Sequence, residues 1–123
     1  MTNPSPAPSN IFHLSDARRQ KRVFFSRAEL NQLLSLYTRQ VMRGEWRDYA
    51  IDQRDGAVMF SMFRRSQEMP IFAVMKTPPG TSRQGDYTLL SAGQKIATCT
   101  TLADVLTQLH KMIRYKPVRL ERG

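Results

Sequence analysis

Asp55-Gly56 stands between two stretches whose apolar residues alternate. An Asp-Gly pair in that setting is the strongest short signal for a two-residue hairpin turn. Such a turn sets the register of the strands it joins, so the pairing can be read outward from it. Gln53 then falls opposite Val58, Ile51 opposite Phe60 and Tyr49 opposite Met62, a mainly apolar face that should meet the core. Trp46, Asp48, Ala50 and Asp52 fall on the other face, against Arg65, Phe63, Ser61 and Met59. A slip of one residue would turn the whole apolar set toward solvent, so one register is strongly preferred.

The segments around this hairpin read as follows. Ser26-Arg27-Ala28-Glu29 is a capping box, with Phe25 and Leu30 placed as a hydrophobic staple. Leu30, Leu33, Leu34, Tyr37 and Val41 then recur at helical spacing, and Gly44 follows Arg43 as a C-terminal cap. The spacing predicts a helix over 27–43, preceded by a short strand at Val23-Phe24-Phe25. Pro70 can open a strand over 71–75 without losing a needed donor, and 76–85 is a loop broken by Pro-Pro-Gly. Segments 87–90 and 95–98 should pair around Ala92-Gly93, which puts Leu89 opposite Ile96. A second helix starts after Thr101, carries Leu102, Val105, Leu106, Leu109, Met112 and Ile113 on one face, and ends before Pro117. The expected fold class is α+β: a single antiparallel sheet of about five strands covered by two amphipathic helices, in helix–strands–helix order.

A chain of 123 residues matches one domain with tails. The reading divides it into 1–20, a disordered Pro-rich start and then a basic tail, a domain over 21–116, and a basic C-terminal tail over 117–123. The formal charge is +9, but residues 1–22 carry +3 of it, residues 110–123 carry +4, and the 87 residues between carry +2. Any pull on anions therefore belongs mainly to the ends, with Arg18, Arg19, Lys21, Arg22, Lys111, Arg114, Lys116 and Arg119 as candidate anion contacts. No run approaches the roughly 18 apolar residues of a membrane helix, and the first residues do not read as a secretory signal. The one cysteine, Cys99, cannot form an internal disulfide, so the expected compartment is the reducing cytoplasm.

Catalytic patterns are missing. His13 lies in the expected tail, His110 near the end of the last helix, and Cys99 has no histidine beside it. Asp48 and Asp52 share a strand face but stand roughly 13 Å apart, too far to act on one bond as a retaining pair. Neither phosphate-loop pattern occurs, and no cofactor or metal site is expected. The densest constellation is Gly44–Asp52 against Phe60–Arg65. Extrapolated register puts Trp46 across from Arg65 with Asp48 diagonal to it, an indole–guanidinium contact closed by a carboxylate. A structural cluster on an exposed sheet face is the plainer account of it. As a recognition patch, its candidate partner-binding residues are Trp46, Asp48, Arg64 and Arg65.

The stretch GEWRDYAID, followed by FSMFRR and Glu68-Met69-Pro70, resembles a small alphaproteobacterial family, domain of unknown function 2794. Phe25, Arg27, Glu29-Leu30 and Gly85-Asp86-Tyr87 are similar to its pattern too, and the likeness covers about residues 20–113. It implies a stand-alone cytoplasmic bacterial protein and assigns no activity, cofactor or catalytic residue. The expected function is a non-enzymatic protein-interaction or regulatory adaptor with an unidentified protein partner and no membrane. The alternative is a nucleic-acid-binding accessory factor that uses the basic tails and exposed arginines.

Overall fold

Ser26 starts the first helix, α1 (Arg27–Met42), by the reciprocal bonding its sequence announces. Its hydroxyl accepts from the Glu29 amide at 3.1 Å, and the Glu29 carboxylate accepts from the Ser26 amide at 2.8 Å. The computed structural model describes residues 23–65 and 69–115, with side chains as far as Ile113. The expected tails over 1–20 and 117–123 lie outside the described residues.

After α1 come β1 (Asp48–Arg54), β2 (Ala57–Phe63), β3 (Phe72–Lys76), β4 (Tyr87–Ser91), β5 (Gln94–Cys99) and α2 (Leu102–Tyr115). The strands form one antiparallel meander in the order β1-β2-β3-β4-β5, so the fold is α+β as expected. Asp55 and Gly56 take φ of 52° and 85°, the two left-handed residues a hairpin turn of this type requires. Tyr49 pairs with Met62, Ile51 with Phe60 and Gln53 with Val58, the register read from the turn. On the edge strand β1, however, Tyr49 and Ile51 stay exposed, so only the β2 half of that face meets the core as expected.

Both helices cover the same face. Leu33 and Leu36 of α1 and Val105 and Leu109 of α2 join Val58, Phe60, Met62, Phe72, Val74 and Leu89 in one buried cluster. On the opposite face lie Met59, Ser61, Phe63, Ala73, Met75, Thr88 and Leu90, the alternate positions of the central strands. Neither described helix takes part in that second face.

Four further expectations need correction. Val41 is exposed, and the buried line of α1 runs instead through Leu33, Leu36 and Gln40. That line follows the spacing of i, i+3 and i+7 and places a polar residue where Val41 was expected. Val23–Phe25 is not a strand. The Val23 amide donates to Gly56 O at 3.1 Å, and the Gln53 side chain, rather than a strand backbone, donates to Val23 O at 2.8 Å. Leu89 pairs with Ala97, not Ile96, because a register shift between Leu89 and Leu90 interrupts the pairing. It brings Ala97 and Cys99 to the helix-covered side and leaves Ile96 exposed.

The fourth correction concerns Trp46. It is only 3% exposed and belongs to the core, not to the outward sheet face. The cause is the end of α1. Glu45 N donates to Gln40 O and Gly44 N to Val41 O, with Gly44 at φ +80°, a Schellman closure. Trp46 N also turns back to Gln40 O at 3.4 Å, so strand alternation cannot extend to it. Pairing resumes only where Arg47 N donates to Phe63 O, next to the start of β1.

Candidate functional site

Two polar constellations interrupt this core, and only one opens outward. The first is the Glu29, Lys76 and Tyr87 group, where the capping box of α1 meets the ends of β3 and β4. Lys76 Nζ stands 2.8 Å from Glu29 Oε1 and donates to Phe24 O at 3.0 Å, while the Tyr87 hydroxyl donates to Glu29 Oε2. Burial alone would raise the Glu29 carboxyl. The bonds from Lys76, Tyr87 and the Ser26 amide outweigh it and hold the group below its ordinary value. Burial, and then the bond to that carboxylate, push the Tyr87 phenol up to about 12. The chemistry of this group is closed: the bonds from Lys76 and Tyr87 to Glu29 pin α1 to the sheet, and that from Lys76 to Phe24 O holds the segment before it.

The second constellation is a cleft at the C-terminal end of α1. Trp46 and Phe72 form part of its floor, with ring centroids 6.1 Å apart, and Tyr37 lies 6.3 Å from the indole on the far side. Ile71 and Ile113 complete the apolar lining, and Arg43, Glu45 and Arg64 stand around it. This inner part holds about 20 Å³, room for one water-sized group. It adjoins an open groove of about 460 Å³ between the two helices, where Arg39 and His110 join Gln40, Arg43 and Ile113. Arg39 and Arg43 are one helical turn apart, so they share a side of α1.

Gln40 belongs to both spaces. It is 4% exposed, and its side-chain oxygen has no hydrogen-bond partner among the described residues. Buried acceptors are nearly always paired, because leaving one unsatisfied destabilises the fold by about 1–3 kcal/mol. An α-helix places this amide on the floor of a cleft rimmed by three guanidinium groups, Arg39, Arg43 and Arg64, and one carboxylate, Glu45. The arrangement can hold an anion at the rim and accept one hydrogen bond below it.

The residues singled out from the sequence are distributed unevenly. Trp46 and Arg64 meet at the cleft, the indole from its floor and the guanidinium from its rim. Asp48 is exposed at the start of β1, where its carboxylate accepts from the Tyr49 amide at 2.8 Å. Arg65 is exposed beyond the end of β2, and with Trp46 turned into the core the two are not neighbours on an outward sheet face. Lys111 is exposed on α2, whereas the side chain of Arg114 lies outside the described part. Arg18, Arg19, Lys21, Arg22, Lys116 and Arg119 also lie outside the described residues. Sequence reading missed Arg39, Gln40, Arg43, Ile71, His110 and Ile113 as site residues. The available signal was Gln40, a polar residue four positions after Leu36 and seven after Leu33 on one helical line.

Other chemistries find little purchase among the described residues. There is no group of three His, Cys, Asp or Glu side chains placed to hold a metal ion. Burial pushes the Cys99 thiol up, with Asp104 adding to the effect, which makes it a weaker nucleophile at neutral pH. No described helix is long and apolar enough to cross a membrane.

A family model described as "Protein of unknown function (DUF2794)" matches residues 23–106, from the tether at Val23 to the first turns of α2. No curated protein and no solved structure matches the sequence. With more than half of its length covered by that match, the chain belongs to the DUF2794 family.

Proposed function

We propose that this protein is a non-enzymatic protein-interaction module, an adaptor, whose partner docks at the cleft over Trp46. The observation that carries the reading is the coincidence of a basic rim, Arg39, Arg43 and Arg64, with an apolar floor and a buried amide oxygen left unpaired. Arginine beside a well-packed aromatic is the composition of binding hot spots. The titratable groups with shifted values support it from the other side. Glu29 is held low, while Tyr37, Tyr87 and Cys99 are held high. A general acid or base works best with a value near the operating pH, and each of these four is moved away from neutrality. A lone, partly buried thiol fits a reducing cytoplasm as the place where the adaptor works.

The test is photo-crosslinking in cells of the source organism, with the probe in the full-length protein at His110 on the groove wall. One dominant protein adduct is expected, and Arg43→Glu or Arg64→Glu should abolish it without changing the melting temperature. Adducts that persist unchanged in both charge-reversal variants would refute the docking site. Crosslinking mainly to nucleic acid, lost steeply with added salt, would replace the adaptor by the nucleic-acid-binding alternative.

A further inference from the structure

Nothing within the described fold pairs the buried side-chain oxygen of Gln40, and Gln40 is one of the residues lining an inner space of about 20 Å³, room for one polar group. A side chain of similar length without that oxygen would fill the same position in α1 and remove the unpaired acceptor. No hydrogen bond within the described fold accounts for that oxygen, the pattern expected of a group kept for binding. As an acceptor it calls for an N–H or O–H donor. The guanidinium groups above it can only donate, so they call for an acceptor, best a planar carboxylate that takes two bonds from one fork. Inorganic phosphate, which keeps a P–O–H at neutral pH, could serve the rim and Gln40 but offers nothing to the apolar lining of Ile71 and Ile113. A peptide carries both features within one residue, a carboxylate and a neighbouring main-chain N–H, and its apolar groups can rest on Ile71 and Ile113.

We propose that the cleft binds a peptide carboxylate together with its adjacent main-chain N–H, the N–H donating to Gln40 Oε1 and the carboxylate held by Arg43 and Arg64. This rests on the protein-interaction reading and names the partner chemistry of the same site. The carboxylate can be the free C-terminus of a peptide or an aspartate side chain.

Trp46 is the only tryptophan of the protein and forms part of the cleft floor, so its fluorescence reports occupancy. The full-length protein is titrated with acetyl-Ala-Ala-Leu as the free acid, with the same peptide as its C-terminal amide, with acetyl-Ala-Asp-Leu amide, and with inorganic phosphate. Saturable change is expected with the free acid or the aspartyl peptide, and which of the two acts identifies the source. The neutral amide should not bind. Gln40→Met should weaken peptide binding about five- to tenfold, the loss of one hydrogen bond, while its melting temperature stays level or rises. Arg43→Ala, an exposed position that cannot endanger the core, should weaken binding as well. The proposal is overturned by no saturable response to either carboxylate peptide, by phosphate binding as tightly as peptide, or by wild-type affinity in both Gln40→Met and Arg43→Ala. If peptides fail while Arg43 and Arg64 still govern crosslinking in cells, the carboxylate inference falls and the adaptor reading stands.

Discussion

Raising the pH probes the Glu29, Lys76 and Tyr87 group, because ionising Tyr87 would put a charge into a partly buried site and set it beside the carboxylate it bonds. In the unfolded state Tyr87 ionises near the ordinary tyrosine value of 10, whereas in the fold it is held up to about 12. A raised folded value means that the contribution is complete below 10, falls as the unfolded state begins to release its proton, and is gone above 12. A difference of that size corresponds to roughly 2–3 kcal/mol, and the partial exposure of Tyr87 favours the lower end. Urea unfolding of the wild type and Tyr87→Phe across this range isolates the effect, because the other tyrosines and the lysines titrate in both proteins. The wild type should lead at pH 9 and lose that lead by pH 12. Curves that stay parallel would refute the raised value of Tyr87, to which burial contributes most and the bond to Glu29 next. On the acid side the sign reverses: Glu29 is held low, so its contribution is present above the ordinary carboxylate value and disappears as pH falls through the lowered one.

Two further perturbations test the fold that holds the site. At Gly85, φ is +140° and an added Cβ would come within 2.1 Å of the Cys99 carbonyl oxygen, so Gly85→Ala must displace backbone and should lower stability by about 2–4 kcal/mol in urea; a loss below about 1 kcal/mol would mean that the β4–β5 end yields freely. Leu36→Ala should cost about 2–5 kcal/mol, whereas exposed Val41→Ala should change stability by no more than about 0.5 kcal/mol. The reverse order in thermal melts would restore the helix face expected from the sequence.

The parts of this fold legible in the sequence are those where a local signal has one structural consequence. The capping box, the Asp55-Gly56 turn and the β1–β2 register are of that kind, since each is settled within a few residues. The second hairpin was half legible: Ala92-Gly93 makes the turn, but the register shift at Leu89 and Leu90 has no local marker. Trp46 was misplaced because alternation was carried through the exit of α1. The Schellman closure at Gly44 has its own sequence signal, but the return of Trp46 toward Gln40 O depends on the packing of Tyr37 and Phe72 around the indole. The cleft was illegible for a related reason. Its residues come from α1, the α1–β1 turn, the stretch from Arg64 to Phe72, and α2, and no spacing rule joins segments so far apart.

The residues that carry the family resemblance fall mostly on the structural side of this division. Glu29 and Tyr87, 58 positions apart, meet in one hydrogen bond, so two separate pieces of the pattern describe a single tether between α1 and β4. Gly85 beside them is required where the backbone passes Cys99, and Trp46 seals the core under α1. Each of these residues can be accounted for by the stability it supplies. Gln40 is not accounted for in this way, because its side-chain oxygen has no partner within the described fold although the residue stands on the buried line of α1. Packing and internal bonds explain the residues that strengthen the fold, so the buried polar residue they leave unexplained directs the search for function to the cleft between the helices.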